Sequence, residues 1–250
     1  MKISCIIPAR FDSERFKGKP IAKINGKPMI QHVCENSMKA ALVDEVIVAT
    51  DDRRIYDTVT GFGAECIMTP ACRTGTDRVA CVSKRTGADI IVNVQGDEPM
   101  ISAEVIDGVI KALRNSPGAS MATAAVKMKN TAGMEDPDIV KVVVDRERYA
   151  LYFSRSPIPA RVKAEKNHRA GYAYLKHVGI YVYRKEFLKI FCGLRKSFLE
   201  NVEGLEQLRA IENGYRIKVE LTDSDCVSVD RESDVKTVER ALRKRGEKKN

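Results

Sequence analysis

Short β-branched apolar runs alternate along this chain with segments whose apolar residues recur at helical spacing, and that alternation is the strongest constraint on how it folds. Ile3 to Ile7 is the first such run and stops at Pro8; Glu45 to Thr50, Glu65 to Met68, Ile90 to Val94, Met121 to Val126, Ile217 to Leu221 and Cys226 to Val229 repeat the theme. Between them Ile30, Val33, Cys34, Met38 and Ala41 fall on one helical face after Pro28. Further helices are expected over Arg53 to Phe62, Thr76 to Arg85, Ser102 to Leu113 and Glu203 to Asn213, with a closing helix through Val235, Val238 and Leu242. A strand that is apolar at nearly every position is buried on both faces, as in a parallel sheet covered by helices on each side. The expected class is α/β, with a mostly parallel sheet flanked by helices and with ligands at the carboxyl ends of its strands. Thr131 to Lys196 loosens the rhythm, with apparent strands at Val140 to Val144 and Tyr181 to Tyr183 joined by polar, proline-bearing connections. We read about 131–196 as an inserted smaller subdomain covering the site, within one domain spanning 1–250.

Composition removes several classes of protein. With 44% hydrophobic and 31% charged residues, the chain has no apolar run near the roughly 18 residues of a membrane span, and Arg10 interrupts the first apolar stretch too early for a signal peptide. A cytoplasmic protein without a membrane partner is expected. Seven cysteines, an odd number without a CxxC pair, suggest neither a disulfide framework nor a zinc site. The net charge is +9, and the last eleven residues carry six basic side chains against Glu247 alone. Such a tail belongs at a solvated helix end, with 246–250 expected to be disordered; it is weak support for nucleic-acid binding, which is not expected.

Three loops fall just past strand ends. The first reads Pro8-Ala9-Arg10, then Arg15, then Lys17-Gly18-Lys19-Pro20. Glycine with several fixed cations is what a triphosphate requires, because backbone N–H groups approach closely while Arg and Lys neutralise charge. It is not a P-loop, since Pro20 follows Lys19, and an exposed basic loop would look the same. The second, Cys72-Arg73-Thr74-Gly75-Thr76, places Thr74 or Thr76 to cap a helix whose N-terminus could also face an anion or a base edge. The third, Gln95-Gly96-Asp97-Glu98-Pro99, puts a carboxylate beside the phosphate loop, where a nucleotide enzyme holds Mg²⁺, or where an Asx turn simply precedes a helix. Asp230 follows Val229 in the same way and could cap the last helix or join Asp97 around a metal. Later, Arg155 has the fork for a carboxylate, while His177, Glu206 and Gln207 could hydrogen-bond sugar hydroxyls.

Six motifs in register, Ile6-Ile7-Pro8-Ala9-Arg10, Gly18-Lys19-Pro20, Val92 to Pro99, Tyr152-Phe153-Ser154-Arg155, His177 to Tyr181 and Leu205 to Arg209, resemble the 3-deoxy-manno-octulosonate (Kdo) cytidylyltransferases of Gram-negative bacteria. The resemblance implies a Rossmann-like nucleotidyltransferase, cytoplasmic, homodimeric through the inserted subdomain and Mg²⁺-dependent, that couples CTP to Kdo for lipopolysaccharide. It implies nucleotide contacts from Pro8, Ala9, Arg10, Arg15, Lys19, Thr74, Gly75, Thr76 and Gly96, metal ligation by Asp97 and Asp230, and sugar contacts from Arg78, Gln95, Arg155, His177, Glu206 and Gln207. Arg10, Lys19 and Asp97 carry the expected catalysis, an in-line attack of the anomeric hydroxyl on the α-phosphorus with no covalent intermediate and no evident general base. Where the family commonly has His-x-Ser-Gly-Thr, this chain has Cys72-Arg73-Thr74-Gly75-Thr76, and it has no tryptophan. Two other readings stay open at this stage: a cytidylyltransferase for 8-amino-Kdo or a sialic acid, and a non-catalytic nucleotide or RNA binder.

Overall fold

Strand β1 (Ile3–Ala9) is buried at every position, and its side chains feed both faces of the sheet: Ile3, Cys5, Ile7 and Ala9 join one apolar cluster and Ile6 the other. This alternation is the strand period of two meeting two helical layers. The computed structural model describes residues 1–13, 15–128, 133–160, 174–224 and 226–247, with side chains described to 243. After β1 come a 3-10 turn (Lys19–Ile21), a small hairpin of β2 (Lys23–Ile24) and β3 (Lys27–Pro28), helix α1 (Met29–Ser37), β4 (Glu45–Thr50), α2 (Arg53–Gly61), β5 (Glu65–Met68), α3 (Gly75–Ser83) and β6 (Ile90–Val94). Helix α4 (Ala103–Arg114) and strands β7 (Met121–Lys127), β8 (Lys141–Val144), β9 (Ala150–Ser154) and β10 (Leu175–Arg184) follow. The chain closes with α5 (Lys185–Gly193), α6 (Phe198–Glu203), α7 (Leu208–Glu212), β11 (Ile217–Thr222) and α8 (Glu232–Glu247).

The main sheet runs β11-β7-β10-β6-β1-β4-β5. Its paired neighbours are parallel except at β10, which is antiparallel to both β6 and β7. The helix starts follow side-chain chemistry. Asp52, Thr74 and Ser102 each accept a backbone N–H of the first turn of α2, α3 and α4, contacts worth about 1 kcal/mol apiece.

Four expectations change. Strand β10 lies in the middle of the sheet, so the core returns at Leu175, and β8 and β9 branch from it, β8 pairing with both β10 and β9, a departure from the main strand order narrower than 131–196. Its residues 161–173 lie outside the described ones. Cys226 to Val229 form no strand; Val229 is held by its N–H to Asp97 O at 3.0 Å and by apolar packing with Ile24, Met29, Met100 and Val238. The helix expected over Glu203 to Asn213 is two, α6 ending at Gly204 and α7 starting at Leu208. Helix α8 continues to Glu247, two residues into the stretch expected to be disordered, and 248–250 lie outside the described residues. Among the described residues no helix is long and apolar enough to cross a membrane.

Candidate active site

The carboxyl ends of β1 and β6 open into a cavity of about 430 Å³ walled by Pro8, Ala9, Arg10, Arg15, Lys19, Gly75, Gln95, Gly96 and Asp97. The three loops singled out in the sequence therefore meet in one place. Gly18, at φ +73°, turns the first loop back, with its N–H on Phe11 O at 2.8 Å and the Phe11 ring against its α-carbon; a Cβ there would lie 3.2 Å from that ring. Gly96 passes so close to β1 that a Cβ would lie 3.0 Å from Pro8 O.

Lys19 is the electrostatic centre of this arrangement. Its side chain is 13% exposed; Nζ donates to Asp97 Oδ2 at 2.6 Å and to Val229 O at 2.9 Å, and lies 3.9 Å from Asp230 Oδ1. The two aspartates read as metal ligands thus converge on one cation, arriving from the ends of β6 and of the 226–229 segment. Arg15 reaches Asp230 at 3.6 Å and Asp138 at 3.4 Å, and Arg10 is exposed at the cavity mouth. Two carboxylates are a hard oxygen donor set that suits Mg²⁺ with phosphate oxygens completing the shell. Among the described residues no group of three or more His, Cys, Asp or Glu side chains gathers as a self-sufficient metal cage.

At the second loop Thr74 is the cap, accepting from Asp77 N–H at 3.0 Å, while Thr76 Oγ1 donates to Glu206 Oε2 at 2.5 Å. Burial pushes the Glu206 carboxyl above its usual range, and the threonine hydroxyls partly oppose that. Gln207 is 4% exposed, and its Nε2 has no partner among the described residues. Gln95 Nε2 donates to Asn93 Oδ1 at 3.0 Å at the cavity wall. His177 packs between Phe153 and Tyr181, ring centroids 5.3 Å from each, and burial lowers its pKa to about 3, so the ring is neutral.

Two residues expected at the sugar are also held by protein groups. Arg78 is fully buried on α3, with Nη2 on Asp51 at 2.6 Å and Nη1 on Thr69 at 2.5 Å, so it braces the second loop from inside. Arg155 does not present an open fork: Nε donates to Glu203 O at 2.9 Å and Nη1 to Pro137 O at 2.8 Å, which ties β9 to α6. Sequence reasoning gave no role to Glu98, which the structure buries at 6% exposure beside Asp97; burial first and Asp97 second push its carboxyl up to about 8. Two adjacent carboxylates after a strand were the available signal. It also passed over Asp51, whose pairing with Arg78 crosses from one loop to another and leaves no trace in local spacing.

Residues 4–218 match the cytidylyltransferase family. The 3-deoxy-manno-octulosonate cytidylyltransferase of Geotalea daltonii is 49% identical over 98% of this chain and 100% of its own length. That of Pelobacter propionicus is 50% identical over 94% of this chain and 95% of its own. A solved structure of CMP:2-keto-3-deoxy-manno-octonic acid synthetase complexed with CTP has the same fold at a TM-score of 0.91 and 41% identity, covering 98% of this chain and 100% of that one.

Proposed function

This chain belongs to the cytidylyltransferase family, and from that premise we propose that it transfers the cytidylyl group of CTP to the anomeric hydroxyl of Kdo, giving CMP-Kdo and pyrophosphate for lipopolysaccharide synthesis. The observation that carries the reading is the convergence of Lys19, Asp97 and Asp230 beside the glycine-bearing basic loop, in a chain about half identical to Kdo cytidylyltransferases over nearly its whole length. The triphosphate lies along the first loop, where Arg10, Arg15 and Lys19 balance the charge that grows on the departing pyrophosphate. Asp97 and Asp230 would hold Mg²⁺, which when bound polarises the α-phosphate and lowers the barrier to in-line attack. Gln95, His177, Glu206 and Gln207 position the sugar acid, and the rest of the rate comes from holding its hydroxyl in line with the phosphorus.

The reading carries with it a homodimer working in the cytoplasm. Phe198 and Val202, one turn apart on α6 and 73% and 66% exposed, offer an apolar surface for a second copy, and sedimentation velocity reads the stoichiometry. The reaction is tested by pyrophosphate release from CTP and Mg²⁺ with Kdo, 8-amino-Kdo and N-acetylneuraminate in parallel, with Asp97→Ala as the blank. Release with Kdo alone is the expected result. Release only with another acid reassigns the substrate, and silence with all three while CTP binds refutes the transferase reading.

A further inference from the structure

His177 can offer a sugar either a hydrogen-bond donor or an acceptor, depending on which ring nitrogen carries its proton. The residue that decides is on another strand. Thr123, the only hydroxyl in β7 and fully buried, has Oγ1 2.8 Å from His177 Nε2 and 2.7 Å from Ile180 O. The Ile180 carbonyl belongs to the β-bulge where the β10–β7 register skips between Val178 and Tyr181, which is what brings it onto the threonine.

The proton count around Thr123 then has one solution. A carbonyl oxygen only accepts, and two oxygens 2.7 Å apart without a hydrogen between them repel, so the single hydroxyl proton lies toward Ile180 O, with Val178 O, also an acceptor, farther away at 3.5 Å. Thr123 Oγ1 is thereby left to accept, and the ring nitrogen facing it must donate. We infer that Thr123 is a positioning residue that fixes His177 as the Nε2–H tautomer, presenting Nδ1 as an acceptor for a donor group of the sugar acid. The inference rests on the functional reading above for the identity of the ligand, but not for the tautomer.

Three features support it. Burial keeps the ring uncharged, so one nitrogen remains unprotonated throughout the working pH range. Phe153, edge-on at 87°, and Tyr181 restrict the rotation that would swap the two nitrogens. No partner within the described residues takes Nδ1, and the residue as a whole is not fully buried. This is the arrangement in which a neighbouring acceptor sets the tautomer and the far nitrogen does the recognition.

The test has two readouts. In full-length protein labelled with ¹⁵N-histidine, His177, identified by its loss in His177→Gln, is expected to show Nε2–H and bare Nδ1 without any substrate. In Thr123→Val, which keeps the shape but loses the hydroxyl, the tautomers should mix and the KM for Kdo should rise about 5- to 10-fold, the value of one hydrogen bond, with the KM for CTP held within about twofold. Thr123→Ser should restore both the resonance pattern and the KM. An Nδ1–H ring in the wild type overturns the inference whatever the sugar proves to be. So does a folded Thr123→Val enzyme whose KM for Kdo is unchanged, or whose Kdo and CTP constants rise together. Activity of the wild type with Kdo separately tests the functional reading.

Discussion

Replacing Lys19 by methionine separates two jobs that its ammonium performs. It satisfies Asp97 at 2.6 Å and shields Asp230 at 3.9 Å, and on the proposed function the same charge faces the phosphates. On that proposal lysine and Mg²⁺ compete for the same carboxylate. Both side chains of the Lys19–Asp97 pair are less than a third exposed, so solvent screening leaves most of this contact intact. A hydrogen bond between charged groups is worth about 1.5–3 kcal/mol, and releasing it should tighten divalent binding to the free protein by about 10- to 150-fold. Turnover should move the opposite way, falling about 100- to 1,000-fold as a fixed charge on the leaving pyrophosphate is lost. The assay is titration of Mn²⁺, followed by its electron paramagnetic resonance signal in the absence of CTP, for wild type and Lys19→Met, with steady-state pyrophosphate release measured on the same preparations. Thermal unfolding with and without Mg²⁺ confirms that the variant is folded. Tighter metal with slower turnover is the expected pair of results. A folded variant that binds Mn²⁺ no more tightly than wild type would show that Lys19 does not hold the metal position, and the reasoning fails.

Three further outcomes follow from the packing and the charges. Gly96→Ala puts a methyl 3.0 Å from Pro8 O, so stability should fall by about 1–3 kcal/mol and turnover by about 10- to 100-fold as the Asp97 turn is displaced, read by urea melts and initial rates. Glu200→Gln leaves the buried Arg209 without its bidentate carboxylate at 2.6 and 2.7 Å, with Glu206 at 3.7 Å as the remaining carboxylate beside the Phe191 and Leu194 carbonyls, and should cost about 3–5 kcal/mol in urea unfolding; a loss under 1 kcal/mol would show the pair to be energetically idle. His177 titrates near 3 when folded against about 6.5 unfolded, so the unfolded chain holds more protons between those values and stability declines as pH drops below 6.5. At pH 5.5 that decline is about 1.4 kcal/mol relative to pH 8, and His177→Gln should remove it from the difference between unfolding curves at the two pH values.

What was legible in the sequence followed from local chemistry. β4 and β5 run over the residues their apolar runs mark, and α2, α3 and α4 begin at side-chain caps, because β-branched runs and caps act within a few residues of themselves. The first and third loops could be brought together on paper since both follow strands of one parallel sheet. The direction of β10 could not, because an apolar run has the same pattern whichever way it lies, and antiparallel placement is decided by partners far along the chain. The 226–229 segment looks like a strand for the same reason; its apolar residues are needed to seal Ile24 and Met29, not to join a ladder. The protein partners of Arg78 and Arg155 could not be read from the sequence, because a guanidinium announces that it will bind something without saying which groups those are. Thr123 gave no signal at all, since a threonine in a strand is ordinary and its meaning depends on a bulge in the neighbouring strand.

The central position of β10 also governs the order in which the molecule can be made. As the chain is synthesised, β1, β4, β5 and β6 can assemble at once, but the outer edge of β6 must wait for Leu175–Arg184 to emerge. Strand β7, made earlier, cannot take that place without leaving β10 no slot between them. If those four strands assemble first, the nascent protein carries an open, apolar sheet edge at β6 through the synthesis of β7, β8 and β9, a surface that needs protection from a second chain.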